Sequence, residues 1–517
     1  MQSNSRLNSI EDAYRILDEK ILPELLPFKL HQLYQEKVIH DNLMESCYFE
    51  GWEIALLDTP LLQRLRYIHQ LGTAFLTYPS AIHTRFSHTL GVTSLAGALY
   101  ENLKGKQYLK RIGNEELWRN ERATVRLAGL LHDIGHTFFS HCSELVVEPI
   151  WKKIRIDSGI LNVNPKPHEF VAYLIITSQY FKKYWQEVIK PEAYEISIKL
   201  EDVASIIVGK LISEDKAYLT DIINGHYDVD KLEYLNRDAK TAGLPITYDK
   251  ARYFQKIDIF EEGGKASLVM GQGGIQCVEQ LALGKIMLYP YVYQHHKVLA
   301  TDRIIQDIVK ELLDGKCILE NMTISHPLDM LLFIDNDILA YSAKPEDEGL
   351  KLLLGHIKSR SLPKRAFVFH REYLVEEEAN IELMQENTKN FLETFGNPNN
   401  INKLREELAE RISSKMGKKL SYHEILVTHP GSFNIMSMNS APVLTKSNTC
   451  ISVDTFWLLS GWSEVHTNKT DYVYFHVPGD ICVKAYEIIA SYLKDKYSFQ
   501  FQDKRIREHC KLNAEDT

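Results

Sequence analysis

The run Leu127–Glu144, LAGLLHDIGHTFFSHCSE, constrains this chain more than any other stretch. Val125 and Ala128 precede His132 at helical spacing, so one apolar face of a predicted helix ends in an imidazole. Adjacent residues on an α-helix point about 100° apart. His132 and Asp133 can therefore bind one metal ion only where other helices close around it. The pattern predicts a helical core whose metal site takes a histidine and a carboxylate from elsewhere in the chain.

Two other segments offer the side chains that such a site needs. His88 opens an apolar helical stripe that continues through Val92 and Leu95. Asp230 lies in the first turn of a helix predicted over 228–243, between an aspartate N-cap and a glycine stop. A histidine at a position such as that of His88 is more often a hydrogen-bonded core residue. The Asp230 carboxylate could simply complement the helix dipole. Local sequence leaves both interpretations open.

Further polar side chains follow the central run. His136 and His141 come directly after the His-Asp pair, and Glu144 lies one turn beyond His141. His168 starts a helix after a proline-set turn, from which its side chain could lean over a cleft or lie on the surface. Local sequence favours neither position for His168.

A helix predicted from Glu279 to about Leu313 carries cations and tyrosines four residues apart. They are Lys285, Tyr289, Tyr293 and Lys297. This spacing would suit a wall that binds phosphate and sugar, and it would equally suit a solvated helix face.

Composition sets the broad class. The 517 residues are 44% hydrophobic and 25% charged, as in ordinary globular proteins, and allow two to four domains. The net charge of −9 argues against a general partner among nucleic-acid polymers. The seven cysteines contain no Cys-x-x-Cys pair, which favours a reducing compartment. The N-terminus lacks the order of a signal peptide, and no apolar run approaches the roughly 20 residues that span a bilayer. We expect a soluble cytoplasmic protein without a membrane partner.

The coarse organisation predicts three segments. Residues 1–36 form an N-terminal helical segment, 37–320 the core that holds the motifs, and 321–517 a smaller mixed α/β region. Strand-like runs in the last segment include 365–369 and 471–476, and a helix is predicted over 483–497. No chemistry is predicted there, so this region is expected to serve oligomerisation or regulation.

Three runs together carry a family resemblance: LLDTPLLQRLRYIHQLGTAFLTYPSAIHTRFSHTLGV, LAGLLHDIGHTFFSH and DVDKLEYLNRDAKTAGL. They resemble the HD-domain deoxynucleoside triphosphate triphosphohydrolases, both the catalytic core of the animal enzymes with a sterile-alpha-motif domain and the bacterial dGTPase-like relatives. The likeness covers roughly residues 37–300. It implies a mainly α fold, with an HD-domain helical core and a smaller mixed α/β C-terminal region. The chain has no room for a sterile-alpha-motif domain ahead of that core, so a bacterial-type member is expected.

The resemblance also implies roles for individual residues. The implied ligands of a divalent metal (Mn, Mg, Fe or Zn) are His88, His132, Asp133 and Asp230. The implied catalytic residues are His136, His141, Glu144 and His168, with His136 and His168 preferred for acid–base work. The implied substrate-binding residues are Gln70, Leu71, Arg85, Lys231, Tyr234, Asp238, Lys285, Tyr289 and Tyr293. The implied binding residues for an activating nucleotide are Lys37, Val38, Asp58, Gln63 and Arg66.

The implied reaction is hydrolysis of a deoxynucleoside triphosphate to a deoxynucleoside and inorganic triphosphate. GTP or dGTP is the expected activator, and a homo-oligomer, a tetramer or larger even assembly, is the expected state. Two alternatives stay open. One is another HD phosphohydrolase, such as a nucleotidase or cyclic-nucleotide phosphodiesterase. The other is a nucleotide-sensing or nucleic-acid-binding protein whose HD site only holds its ligand.

Overall fold

The computed structural model describes residues 7–28, 34–313, 318–319, 322–344, 346–375, 381–396, 398–430, 440–456 and 472–512. Helices dominate these residues, and the strands form small sheets, so the predicted mainly α fold is confirmed. The chain divides into two compact units. The first comprises Met1–Leu288, Leu312–Ala340 and Ile435–Ser460, and the second comprises Tyr289–Glu311, Tyr341–Asn434 and Gly461–Thr517. The predicted division at residues 36 and 320 stays a prediction.

The first unit contains two long helices that pack against each other, Arg85–Lys104 and Glu115–Leu131. Its other α-helices are Ile10–Ile16, Leu22–Leu25, Gly51–Leu57, Pro60–Gln63, Gln107–Ile112, His141–Ser158, Pro167–Thr177, Gln179–Tyr184, Leu200–Ile207, Ala217–Ile223, Val229–Ala242, Lys250–Lys256, Ile275–Leu288 and Asp335–Ala340. Helical turns of 3-10 or π type are Leu17–Ile21, Arg64–Tyr67, Ala74–Leu76, Trp185–Ile189, Glu214–Lys216, Gln272–Gly274 and Pro327–Leu332.

The central helices lie close together because a glycine leaves room at one contact. A Cβ added at Gly91 would come within 2.3 Å of the Glu233 carboxylate, so the helices Arg85–Lys104 and Val229–Ala242 could not keep this spacing with a larger residue. Packing of this kind brings polar groups of both helices into one buried layer, where they must be paired.

The small sheets of the first unit are mostly antiparallel. Lys37–Asp41 pairs with Glu45–Phe49 as a hairpin. A second sheet has the order Cys450–Ser452, Pro442–Leu444, Lys265–Gly271 and Ile257–Glu262, with one parallel pairing between its two central strands. Ile318–Leu319 pairs with Met322–Thr323.

The second unit is mixed α/β. Its three-stranded antiparallel sheet has the order Lys364–Phe369, Val473–Val477, Leu426–Thr428. Buried aromatic residues such as Phe367, Phe475 and Tyr486 pack between this sheet and helices. The helices and helical turns of this unit are Tyr289–Tyr293, His296–Leu313, Glu348–Lys358, Arg371–Tyr373, Ile381–Glu393, Thr394–Gly396, Pro398–Met416, Tyr422–Glu424, Gly479–Ile481, Cys482–Tyr497 and Asp503–Cys510. The helical turn Val453–Phe456 belongs to the first unit.

The single helix predicted from Glu279 to about Leu313 is wrong. The structure has two helices, Ile275–Leu288 and His296–Leu313, separated by the π-helical turn Tyr289–Tyr293. Pro290 lies in that turn, and a proline interrupts the hydrogen-bond ladder because it has no backbone N–H. The cations and tyrosines at four-residue spacing therefore do not share one helix face. Within the described residues, none of the helices has the length and apolar character required to cross a membrane.

Candidate functional site

Two imidazoles face each other in the first unit. His132 is the C-cap of the helix Glu115–Leu131, as its position in the motif predicts, and its Nε2 lies 3.2 Å from Nε2 of His88. The Nδ1 atom of His132 lies 2.7 Å from the Gly129 carbonyl oxygen. The Nδ1 atom of His88 lies 2.6 Å from the Glu233 carboxylate. Both oxygens are acceptors, so each Nδ1 donates to its oxygen, and the two Nε2 atoms are left facing each other, where a bound cation could take the place of a proton.

Two carboxylates complete this group. An oxygen of Asp133 lies 3.2 Å from Nε2 of His132, and an oxygen of Asp230 lies 3.0 Å from Nε2 of His88. Two lone pairs and two carboxylates in one buried place repel one another unless a cation lies among them. The donor set therefore fits a divalent cation, and its mixed nitrogen and oxygen atoms suit Mn²⁺, Fe²⁺ or Zn²⁺.

The charges at this place shift the pKa values of an imidazole and of a carboxyl group. Although burial alone would lower it, the Glu233, Asp230 and Asp133 carboxylates raise the pKa of His88 to about 10. Although burial would raise it, Arg85 and the neighbouring histidines hold the pKa of Asp133 well below its usual range. In both groups the nearby opposite charges outweigh the effect of burial and favour the charged form.

A second cluster lies beside the first. Three imidazole Nδ1 atoms converge on the Glu144 carboxylate, at 2.5 Å for His136, 3.1 Å for His168 and 3.1 Å for His141. The rings of His136 and His168 stack with centroids 3.9 Å apart. Nε2 of His136 lies 3.4 Å from Asp133, which joins the two clusters.

Exposure separates the three histidines. The side chain of His136 is 0% exposed, that of His168 5% and that of His141 57%. Burial, together with the nearby Arg85 guanidinium, lowers the pKa of His136 to about 3, so this ring is neutral near pH 7. Although burial would raise it, the three imidazoles hold the pKa of Glu144 well below its usual range. Burial also lowers the pKa of His141, which is nevertheless the most exposed of the three side chains.

Arg85, predicted to bind phosphate, is buried and already bonded on several sides. It donates to Asp133 at 3.0 Å, to the Ser140 hydroxyl at 2.9 Å and, at 3.4 Å, to the Gln70 carbonyl oxygen. It thereby connects a predicted metal ligand with two loops that border the site.

Two of the predicted substrate-binding residues, Lys231 and Lys285, lie near each other. Nζ of Lys231 donates to the Gly225 carbonyl oxygen at 2.7 Å and forms an ion pair with Asp228, the N-cap of its helix. Burial and then the nearby Lys231 lower the pKa of Lys285 to about 8. Tyr234 lies one turn beyond Asp230 on the same helix, in the order that the sequence predicts.

Two of the predicted substrate-binding residues, Gln70 and Asp238, form hydrogen bonds with a histidine that the sequence analysis missed. The Gln70 backbone N–H donates to the His83 carbonyl oxygen at 3.0 Å, and Nε2 of His83 lies 2.7 Å from the Asp238 carboxylate. Leu71 follows Gln70 in the same loop. Tyr289 and Tyr293 lie in the second unit, where their rings make an edge contact with centroids 4.8 Å apart.

The predicted activator-binding residues form two exposed pairs. Nζ of Lys37 lies 3.0 Å from the Asp58 carboxylate, with both side chains about half exposed. Nε of Arg66 donates to Gln63 at 2.7 Å. Val38 is 65% exposed on the hairpin strand that also carries Lys37. Asp58 follows the helix Gly51–Leu57 as its C-cap, and Thr59 rather than Asp58 is the N-cap of Pro60–Gln63.

Comparison with known proteins adds a family to this geometry. Residues 85–241 match the HD domain family, and residues 248–441 match the HD associated region. An uncharacterized protein of Methanocaldococcus jannaschii is 26% identical over 300 residues, 58% of this chain and 55% of that protein. The deoxynucleoside triphosphate triphosphohydrolase SAMHD1 homolog of Dictyostelium discoideum is 26% identical over 333 residues, 63% of this chain and 59% of the relative.

A human relative is similar to this chain at a comparable level of identity. Deoxynucleoside triphosphate triphosphohydrolase SAMHD1 of Homo sapiens is 27% identical over 284 residues, which cover 52% of this chain and 44% of that enzyme. The chain thus spans less than two thirds of the length of the curated relatives it matches. All four residues of the imidazole–carboxylate group, from His88 to Asp230, lie inside the matched HD domain. The chain therefore contains an HD domain followed by an HD-associated region.

Proposed function

We propose that this protein is a metal-dependent phosphohydrolase that converts deoxynucleoside triphosphates to deoxynucleosides and inorganic triphosphate. The observation that carries the proposal is the junction of two buried clusters: Asp133 belongs to the imidazole–carboxylate group and also lies 3.4 Å from His136 of the histidine–Glu144 cluster. A cation-binding group directly beside a source of protons is what hydrolysis of a phosphoester requires. The activity for which the Dictyostelium and human relatives are named supports the substrate class.

The metal would be held by His88, His132, Asp133 and Asp230. When bound, a divalent cation supplies Lewis-acid polarisation of a phosphoryl oxygen and eases deprotonation of water. From the donor set we propose a divalent cation, one of Mn²⁺, Fe²⁺, Zn²⁺ and Mg²⁺.

The chain's own residues then move a proton and hold charge. His141, the exposed member of its cluster, donates a proton to the leaving 5′-oxygen, and Glu144 orients its ring. Lys231 lies close enough to lower the pKa of Lys285, so both lysines would face the same triphosphate and stabilise the charge that grows on it.

Sugar selection is proposed at the loop that carries Gln70 and Leu71. Gln70 and Asp238 would bond the 3′-hydroxyl, because His83 links them: its backbone bonds that of Gln70, and its ring contacts the Asp238 carboxylate. Leu71 would crowd the 2′ carbon. A ribose 2′-hydroxyl would then lose its hydrogen-bonding partner, which disfavours ribonucleotides.

The test is to incubate the protein with each nucleoside triphosphate and Mn²⁺ or Mg²⁺ and to identify the phosphate product. Triphosphate is expected, whereas pyrophosphate or orthophosphate would assign a different reaction. His132→Ala should remove the activity, and His356→Ala, at a partly exposed histidine of the second unit, serves as the matched control. Product from both variants at the wild-type rate would contradict the proposed site.

We also propose a cytoplasmic homo-oligomer of even number that a guanine nucleotide activates at Lys37, Val38, Asp58, Gln63 and Arg66. The exposure of these residues supports a surface site for a charged ligand. Light scattering under active conditions tests the oligomer, and a species of one chain's mass, 59.7 kDa, would contradict it.

A further inference from the structure

One buried carboxylate of the HD-associated region holds two loops of the site. Asp335 is 0% exposed and begins the short helix Asp335–Ala340. One of its oxygens accepts the backbone N–H of His69 at 2.9 Å and lies 2.7 Å from Nδ1 of the same histidine. The other accepts the backbone N–H of Phe139 at 2.6 Å. The carboxylate thus bonds two segments that are distant in sequence from each other and from itself.

The two segments are those that carry the proposed sugar and proton-transfer residues. His69 directly precedes Gln70, and Phe139 lies between His136 and His141 in sequence. A second bond joins the same loops, because the Ser140 hydroxyl donates to the His69 carbonyl oxygen at 2.6 Å. Ser140 in turn accepts from Arg85 at 2.9 Å. Asp335 therefore closes a ring of hydrogen bonds whose other members border the site.

The backbone of one loop is unfavourable without such support. Phe139 and Ser140 both have a φ of +54°, in the left-handed region that residues other than glycine rarely adopt. Conformations of this kind persist where surrounding contacts determine them. The bond from the Phe139 N–H to Asp335 is such a contact, and it lies two residues before His141.

We propose that Asp335 is a positioning residue, which fixes the spacing between the loop of Gln70 and the loop of His141. Its carboxylate touches none of the four proposed metal ligands directly, and it acts through His69 and Phe139. The inference rests on the proposed function for its effect on turnover, but not for its effect on the two loops.

The variant Asp335→Asn tests this. An amide offers one oxygen in place of two, and its NH₂ group must face either the Phe139 N–H or the donors of His69. Asp337→Asn is the matched control, since Asp337 lies on the same helix and accepts the backbone N–H of the neighbouring Ile334 at 2.9 Å. Hydrogen exchange measured by mass spectrometry should be faster in Asp335→Asn for peptides over 66–72 and 137–141, and unchanged in Asp337→Asn.

Turnover gives the second readout. Asp335→Asn should lower kcat/KM for a deoxynucleoside triphosphate by about tenfold to a hundredfold, as expected for a misplaced catalytic group. It should also reduce the preference for deoxynucleotides over ribonucleotides, while the metal content by mass spectrometry stays that of the wild type. A purely structural role would lower the active fraction without changing sugar preference.

A pair of substitutions on the other side of the bond covers failure of Asp335→Asn to fold. His69→Asn keeps an N–H donor near the position of Nδ1, and His69→Leu does not, so only His69→Leu should reproduce the faster exchange. Unchanged exchange in both Asp335→Asn and His69→Leu overturns the proposal. Faster exchange with wild-type kcat/KM and sugar preference overturns its role in the reaction. A wild-type protein that hydrolyses no nucleotide overturns the proposed function alone, because the exchange readout is independent of activity.

Discussion

Substitution of Glu233 by glutamine should weaken metal binding without changing any proposed metal ligand. Glu233 is 0% exposed. One of its oxygens lies 2.6 Å from Nδ1 of His88, and the other accepts from Nε of Arg237 at 2.6 Å. Arg237 also donates to Asp41 at 3.0 and 3.1 Å. The carboxylate therefore fixes the ring of His88 and is itself held on its far side.

The magnitude follows from the number of donors that the amide would face. Glutamine has one oxygen, so its NH₂ group must point at His88 or at Arg237. If His88 instead accepts from that NH₂ group, its proton moves to Nε2, and the lone pair that faces His132 is lost. Loss of such a partner to a ligating histidine costs about tenfold to a hundredfold in metal affinity. This corresponds to about 1.4 to 2.7 kcal/mol.

The assay is a competition titration of chelator-stripped protein with Mn²⁺ or Zn²⁺, with the folded fraction checked by circular dichroism. Glu53→Gln is the matched control. Glu53 is equally buried and pairs with Arg126 at 2.6 Å, so its loss should lower stability and leave metal affinity unchanged. Wild-type affinity in Glu233→Gln, or an equal loss of affinity in Glu53→Gln, would refute the reasoning.

Three further outcomes are expected. His132→Ala or Asp133→Ala should abolish hydrolysis while the protein stays folded, and near-wild-type turnover at matched metal loading would contradict the ligand assignment. The pKa of Lys285 is lowered to about 8, so its charge is lost as the pH rises above that value; KM for the triphosphate should increase above pH 8, and Lys285→Arg, which stays charged, should remove the increase. Asp58→Ala should abolish stimulation by GTP or dGTP of the hydrolysis of a second deoxynucleotide, whereas stimulation of the same size in the variant would exclude this activator site.

The sequence was sufficient wherever the signal is local to one helix. The position of His132 at a helix end follows from the apolar spacing before it, and the aspartate N-cap and glycine stop of Val229–Ala242 are where composition predicts them. The mainly α fold and the HD resemblance are also confirmed. Both could be predicted because the HD motifs are short runs of sequence that are recognisable locally. The predicted roles of the individual site residues stay predictions.

Other features were readable but overlooked. Pro290 interrupts the predicted helix over 279–313, and its missing N–H is a local signal. Glu233 lies three residues after Asp230, on the same helix, which places the two within one turn. His83 stands two residues before Arg85 in a loop, where sequence gives no direction for a side chain.

Asp335 could not have been found from the sequence, and the reason is physical. Its bonds reach 266 residues back to His69 and 196 back to Phe139, and no periodicity links positions so far apart. A carboxylate at the start of a short helix is ordinarily explained by the helix dipole. Its significance comes from burial, because a buried carboxylate must be matched by donors, and the available donors belong to the two loops. The role of such a residue depends on contacts between distant parts of the chain, so it becomes visible only in the tertiary structure.

The site is thus organised by buried carboxylates that each serve more than one donor. Asp133 meets Arg85 and two histidines, Glu144 meets three histidines, and Asp335 meets two loops. Removal of one such group leaves several buried donors without a partner, so its cost exceeds that of one hydrogen bond. Asp133 and Glu144 share His136, and variants of these two acids should not act independently. The geometry of proton transfer and that of metal binding therefore depend on one connected set of charges.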